Sequence, residues 1–231
     1  MTPHRKALLQ IHFCVVLWGF TAIFGKLISL PALPLVWWRM LIVVVAIAAW
    51  LPVWRMLRGT NLRTLGVFAG IGVVVALHWL TFYGAIKLAN ASVAATCMAI
   101  GPIFLAVIEP WIARRSFDPR ELVIGVVALP GVALVVGGTP PGMYGGLVLG
   151  VISAFLVAIF ASLNKRHVEK ADPLLVTWVE LASGTAFLTI VTMLWHGPDG
   201  SFVLPDARDS LLLAVLAIAC TLLPFTLALR A

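Results

Sequence analysis

The sequence predicts an all-α integral membrane protein with eight transmembrane helices, on three observations. Of 231 residues, 62% are apolar and 11% charged, whereas soluble chains run near roughly 45–50% and about 25%. A domain this small cannot bury that much apolar surface in its own core. The apolar residues gather into runs close to the ~20 residues needed to span hydrocarbon, and Lys and Arg alternate between the connections in step with those runs. The same composition excludes disorder, which needs low hydrophobicity. Cys14, Cys97 and Cys220 lie inside apolar runs without a CxxC spacing, so neither a disulfide framework nor a zinc site is expected. No cofactor or metal is assigned.

The runs fall at 8–29, 34–54, 64–86, 91–112, 121–138, 145–164, 174–195 and 210–229. The first follows a short basic segment but exceeds a signal-peptide core, contains Trp18 and Lys26, and lacks a small-x-small cleavage site; it reads as a retained helix. Leu30-Pro31-Ala32-Leu33-Pro34 closes it, and Arg58-Gly59-Thr60-Asn61 closes the second. Ser116-Phe117-Asp118-Pro119 follows the fourth. The fifth and sixth are separated only by Gly137-Gly138-Thr139-Pro140-Pro141-Gly142, with no charge from Leu122 to Asn164. Asp172-Pro173 precedes the seventh, and Gly197-Pro198-Asp199-Gly200 ends it. Gly146, Gly150, Ala154, Ala158 and Ser162 recur every fourth residue, as do Ala91, Ala95 and Ala99; both patterns predict seams of close helix packing. Pro102 and Pro130 predict bends. Trp50, Trp54, Trp111 and Trp195 near run ends suit interfacial anchoring.

With a cytoplasmic N-terminus, Arg5, Lys6, Arg55, Arg58, Arg63, Arg114, Arg115, Arg120, Lys165, Arg166, Lys170 and Arg230 lie inside. Only Lys26, Arg39, Lys87 and Arg208 then lie toward the other side, where Asp199, Asp206 and Asp209 make the last loop acidic. One wrong helix would invert every later connection, so the alternation supports eight crossings. The net charge of +7 is therefore topological, and no nucleic-acid partner is expected.

Two halves of the chain echo each other. Ala22-Ile23-Phe24 recurs as Ala158-Ile159-Phe160, and Pro34-Leu35-Val36-Trp37-Trp38-Arg39 as Pro173-Leu174-Leu175-Val176-Thr177-Trp178. Leu80-Thr81-Phe82-Tyr83-Gly84-Ala85-Ile86-Lys87 recurs as Leu223-Pro224-Phe225-Thr226-Leu227-Ala228-Leu229-Arg230. Runs one to five thus form a first repeat, 1–141, and runs six to eight the opening of a second, 142–231. A unit with an odd number of crossings returns upside down, the inverted-repeat plan of many secondary transporters.

Leu17-Trp18-Gly19-Phe20 with Lys26, Trp37-Trp38-Arg39, Phe82-Tyr83-Gly84-Ala85, Ala91-Ser92 and Gly101-Pro102 resemble the EamA-like family of the drug/metabolite transporter superfamily. The resemblance implies ten helices in two inverted five-helix bundles, with both termini cytoplasmic and a central cavity between the halves. It also implies a bacterial protein of the inner (cytoplasmic) membrane. Eight of ten helices are present here, so the expectation is a fragment, or a second bundle completed by another chain.

Ionisable groups inside a membrane are functional candidates by default. Arg39 lies inside the second run, Glu180 inside the seventh, and His78 near the middle of the third. His78 suits proton-linked transport, or alternatively an interhelical hydrogen bond. Lys26 suits a cationic rim or a snorkelling contact with headgroups. Trp18, Trp79, Phe82, Tyr83, Phe155 and Trp178 are candidate walls for an amphipathic ligand, or ordinary packing. Glu109, a turn from Arg114 and Arg115, reads as a salt bridge at the interface.

The resulting expectation is a secondary exporter of small metabolites such as amino acids, working by alternating access within the lipid bilayer, with proton coupling as an option. A lipid-linked carrier flippase or a non-transporting membrane subunit is the alternative. An intramembrane enzyme is disfavoured, because the sequence offers no GxSxG, HExxH or Walker pattern.

Overall fold

The computed structural model describes residues 3–194 and 203–229. Trp195, Asp199 and Arg230, read above as an anchor and as loop charges, lie outside the described residues, as does the turn Gly197-Pro198-Asp199-Gly200. The elements are α1 (Pro3–Leu27), α2 (Ala32–Ala48), α3 (Pro52–Gly59), α4 (Leu62–Leu88), α5 (Ala91–Met98), α6 (Gly101–Ala113), α7 (Pro119–Val126), α8 (Leu129–Gly137), α9 (Tyr144–His167), α10 (Pro173–Leu194), α11 (Ala207–Ala217) and α12 (Leu223–Ala228). A five-residue π-helical stretch, Ile218–Leu222, joins the last two. Among the described residues there is no strand. Seven helical stretches among the described residues are long and apolar enough to cross a membrane, or eight when the bent pair α2–α3 is counted as one span. The chain is thus an all-α, multi-pass membrane protein.

Prolines set the internal breaks. The expected second run of 34–54 divides, because Pro52 has no N–H to offer the Ala48 carbonyl oxygen. The chain turns by 93° into α3, and the Trp54 indole N–H donates to the Ala48 carbonyl oxygen at 2.9 Å. α3 thus lies nearly perpendicular to α2, with Val53 buried and Trp54, Arg55 and Arg58 exposed, a composition that suits a helix at a membrane surface. Pro102 and Pro130 each follow a break by two residues, at Ala99–Ile100 and Val127–Ala128.

The described residues form two compact units, one of 1–73 with 168–231 and the other of 74–167. This grouping by contact is separate from the repeat boundary at 141/142, which concerns sequence echoes.

In the first unit α2 and α10 pack side by side, with the Met40 side chain of α2 against Gly184 of α10. The closest approach is at Gly72 of α4, where a Cβ would lie 2.0 Å from the Glu180 carbonyl oxygen and 2.2 Å from the Ser183 hydroxyl. Gly184 answers from the other side, a Cβ there meeting the Gly72 carbonyl oxygen at 2.9 Å. Apolarity alone does not attract helices in lipid, so dispersion at such crossings supplies much of the cohesion.

In the second unit α9 is the hub, packed by α5 and α6. All five small residues of its seam, Gly146, Gly150, Ala154, Ala158 and Ser162, are buried. A Cβ on Gly146 would lie 2.6 Å from that of Ala89, and one on Gly150 2.7 Å from the Cys97 sulfur. The expected alanine seam of α5 is not the packed face. Ala95 is exposed, and Val93, Ala94 and Cys97 turn inward instead, because Gly150 leaves room for the cysteine sulfur.

Gly72→Ala forces the α4–α10 crossing apart and costs about 1–3 kcal/mol or more. Gly70→Ala, two residues away with nothing within 4 Å of its Cβ, costs far less. Thermal unfolding of the two variants in detergent checks the contrast; equal midpoints count against this crossing.

Candidate functional site

The ten candidate residues divide equally between the units. Trp18, Lys26, Arg39, Trp178 and Glu180 belong to the first; His78, Trp79, Phe82, Tyr83 and Phe155 belong to the second.

Arg39 is the best defined of the first group. It is 2% exposed, and its guanidinium reaches the π-helical stretch, with Nε donating to Thr221 Oγ1 at 2.7 Å and Nη2 to the Cys220 carbonyl oxygen at 3.3 Å. That carbonyl is available because Pro224, four residues on, has no N–H to return to it. Widening to π leaves other carbonyls offset, and Thr221 Oγ1 donates to that of Leu216 at 2.9 Å. An intramembrane cation and an interrupted helix thus satisfy each other.

Glu180 is fully buried, on the turn of α10 that meets Gly72. Trp178, two residues earlier, is half-buried; its indole donates to the Val44 carbonyl oxygen at 3.2 Å and meets Trp54 edge-on at 5.3 Å. Trp37 is tied to Thr189 Oγ1 at 2.8 Å and Trp38 to the Val203 carbonyl oxygen at 2.9 Å. Lys26 is exposed in the last turn of α1, where a cation complements the helix dipole. The Trp18 carbonyl accepts from the Thr21 hydroxyl.

In the second unit His78 and Ser153 lock α4 to α9. His78 Nδ1 lies 2.9 Å from the Ser153 carbonyl oxygen and 2.8 Å from its Oγ, while that hydroxyl donates to the His78 carbonyl oxygen at 2.9 Å. A carbonyl only accepts, so Nδ1 carries hydrogen and a neutral ring takes up its second proton at Nε2. Phe82 and Phe160 pack beside the imidazole at 6.3 and 5.4 Å between ring centres. Trp79 and Tyr83, four apart on one face, are both buried. Phe155 stands apart from this group, half exposed and edge-on to Phe104.

The unit's charged cluster joins Glu109 to Arg115 and Lys165, each at 2.6 Å, with Arg115 also bonding Glu121. Arg114 adopts a left-handed conformation at φ 56°, which returns the chain so that the Arg115 amide donates to the Pro110 carbonyl oxygen. Glu121 foremost, then Glu109, raises the pKa of Arg115. Glu109 thus pairs with the neighbouring cations, as its spacing suggested.

The pattern that describes the EamA-like transporter family matches residues 5–137, more than half of the chain. The chain belongs to the EamA-like transporter family. It is therefore a membrane transporter of the drug/metabolite transporter superfamily, which places it in a lipid bilayer and gives it small molecules as substrates. A solved structure described only as a crystal structure of a protein superposes with a TM-score of 0.70 at 17% identity, covering 97% of this chain and 78% of its own. That likeness shows the fold. Among the curated proteins none matches by sequence.

Two polar constellations in this transporter escape a reading of the sequence. Asp209, counted there only as a loop acid, is 2% exposed and accepts from the Ser29 amide at 3.0 Å and its hydroxyl at 2.6 Å. It thereby clasps the end of α1 to the start of α11, which Asp206 caps. Thr221 and the Cys220 carbonyl, the partners of Arg39, were equally hidden; only Pro224 signalled a carbonyl in need of a donor.

Thr221→Val removes the acceptor for Arg39 and costs about 1–3 kcal/mol, whereas Thr221→Ser keeps the hydroxyl and most of the stability. Unfolding midpoints in detergent measure both; a valine variant as stable as the serine variant rules out the contact as a determinant of stability.

Proposed function

We propose that this transporter is a secondary exporter of small metabolites such as amino acids, working by alternating access and without catalysis. It would sit in the inner membrane of a bacterium with its N-terminus cytoplasmic, the orientation that puts most lysines and arginines inside. In this reading 1–141 and the segment from 142 are inverted repeats whose relative rocking exposes the cargo site in turn.

One observation carries the reading. Within the described residues, Arg39, His78 and Glu180 are all buried on helices long or apolar enough for the membrane, where polar and ionisable groups cost several kcal/mol unless they serve a site or a partner. Arg39 and Glu180 offer opposite charges to the ammonium and carboxylate of an amino acid. Buried Trp79, Phe82 and Tyr83 supply apolar surface beside His78. His78 would be the proton-responsive group, held at Nδ1 by Ser153 and exchanging its proton at Nε2, so that the ring gains a positive charge as pH falls through its pKa.

In proteoliposomes, labelled amino acids should move with a rate that depends on pH. His78→Gln should flatten that dependence while leaving residual transport and a monodisperse protein. A variant with the wild-type pH profile excludes His78 as the proton site. Movement of lipid headgroups with no movement of amino acids would favour the flippase alternative.

A further inference from the structure

The bend after α2 leaves a cleft in the first unit between α3, the start of α4 and the start of α10. Its volume is about 380 Å³, and its walls include Leu57, Leu62, Leu65, Ala69, Trp178 and Val179, within the size range of small-ligand sites. It is open to the surroundings. The one hydroxyl among its walls, Ser183 Oγ, is turned to the Ala69 and Glu180 carbonyl oxygens, and the Trp178 indole N–H to that of Val44, so the interior is overwhelmingly apolar. Such a surface suits a hydrocarbon chain.

Its mouth is different. In the chain Arg58 adjoins the lining residue Leu57 and Arg63 adjoins Leu62, and Arg55 lies one turn before Arg58 on α3. All three are exposed, and no guanidinium among them forms a hydrogen bond or ion pair with another described residue. Arg115 and Lys165, by contrast, hold Glu109, and Arg166 donates to the Ile112 carbonyl oxygen at 2.9 Å. Exposed Trp54 lies on the same helix, and indoles partition to the headgroup region.

We propose that this cleft binds one anionic phospholipid, with an acyl chain along Leu65, Ala69 and Trp178 and the phosphate at Arg58 and Arg63. Charge complementarity selects this occupant. A zwitterionic lipid fills the cleft equally but brings its own cation to the arginines. A soluble phosphate meets the arginines and leaves the apolar walls bare. Of the ten candidate residues named above, only Trp178 lines this cleft.

Native mass spectrometry of the full chain in neutral detergent, titrated with phosphatidylglycerol and with phosphatidylcholine of identical chains, tests this. Phosphatidylglycerol should be retained preferentially. Arg58→Gln with Arg63→Gln should lower its affinity roughly 25-fold, about fivefold per charge, with phosphatidylcholine unaffected, and the corresponding lysine pair should keep most of the preference. Gly66 lines the cleft with nothing within 4 Å of its Cβ, so Gly66→Leu fills the space without disturbing packing and should weaken both lipids. Equal retention of the two lipids by the wild-type chain would overturn the proposal. So would indifference to the glutamine pair or to Gly66→Leu, or displacement of phosphatidylglycerol by equimolar inorganic phosphate.

Discussion

Backbone in hydrocarbon has no water to bond, so every interruption of a helix must be answered by another group of the protein. Several polar side chains of this transporter stand at such interruptions. Arg39 and Thr221 meet carbonyls released by the π-helical stretch and Pro224. The Trp54 indole closes the end of α2 above Pro52. Asp206 and Asp209 take up amides at the start of α11 and the end of α1. Arg39, which serves a backbone in this way, is also an ionisable group within a span, so one side chain answers two costs of the bilayer.

Packing follows a second rule from the same solvent. Without a hydrophobic drive between helices, contact depends on how closely backbones approach, and the tightest crossings use glycine on at least one side: Gly72 and Gly184 in one unit, Gly146 and Gly150 in the other. These crossings position the candidate residues. Glu180 sits on the turn that meets Gly72, and Ser153, which holds His78, lies one turn along α9 from Gly150.

The two rules meet at the amphipathic α3. Because Pro52 interrupts the helix and the chain bends sharply, an apolar cleft opens beside a segment that carries three arginines. Sequence alternation of charge explains why arginines are there. That their side chains bond no other described residue is a property of the fold.

The sequence by itself determined the class, the crossings and the family, because lipid imposes length, apolarity and charge bias on each span independently of its neighbours. The seam of α9 was legible for the same reason, since a four-residue period of small side chains marks one helix face whatever packs on it. Other features became visible only in the tertiary structure: the turn after α2, the π-helical answer to Arg39, the Asp209 clasp, and the inward face of α5. Each depends on which carbonyl, amide or empty space a distant segment presents. The bond from Arg39 to Thr221 joins residues 182 positions apart, and no periodicity along one helix encodes that distance.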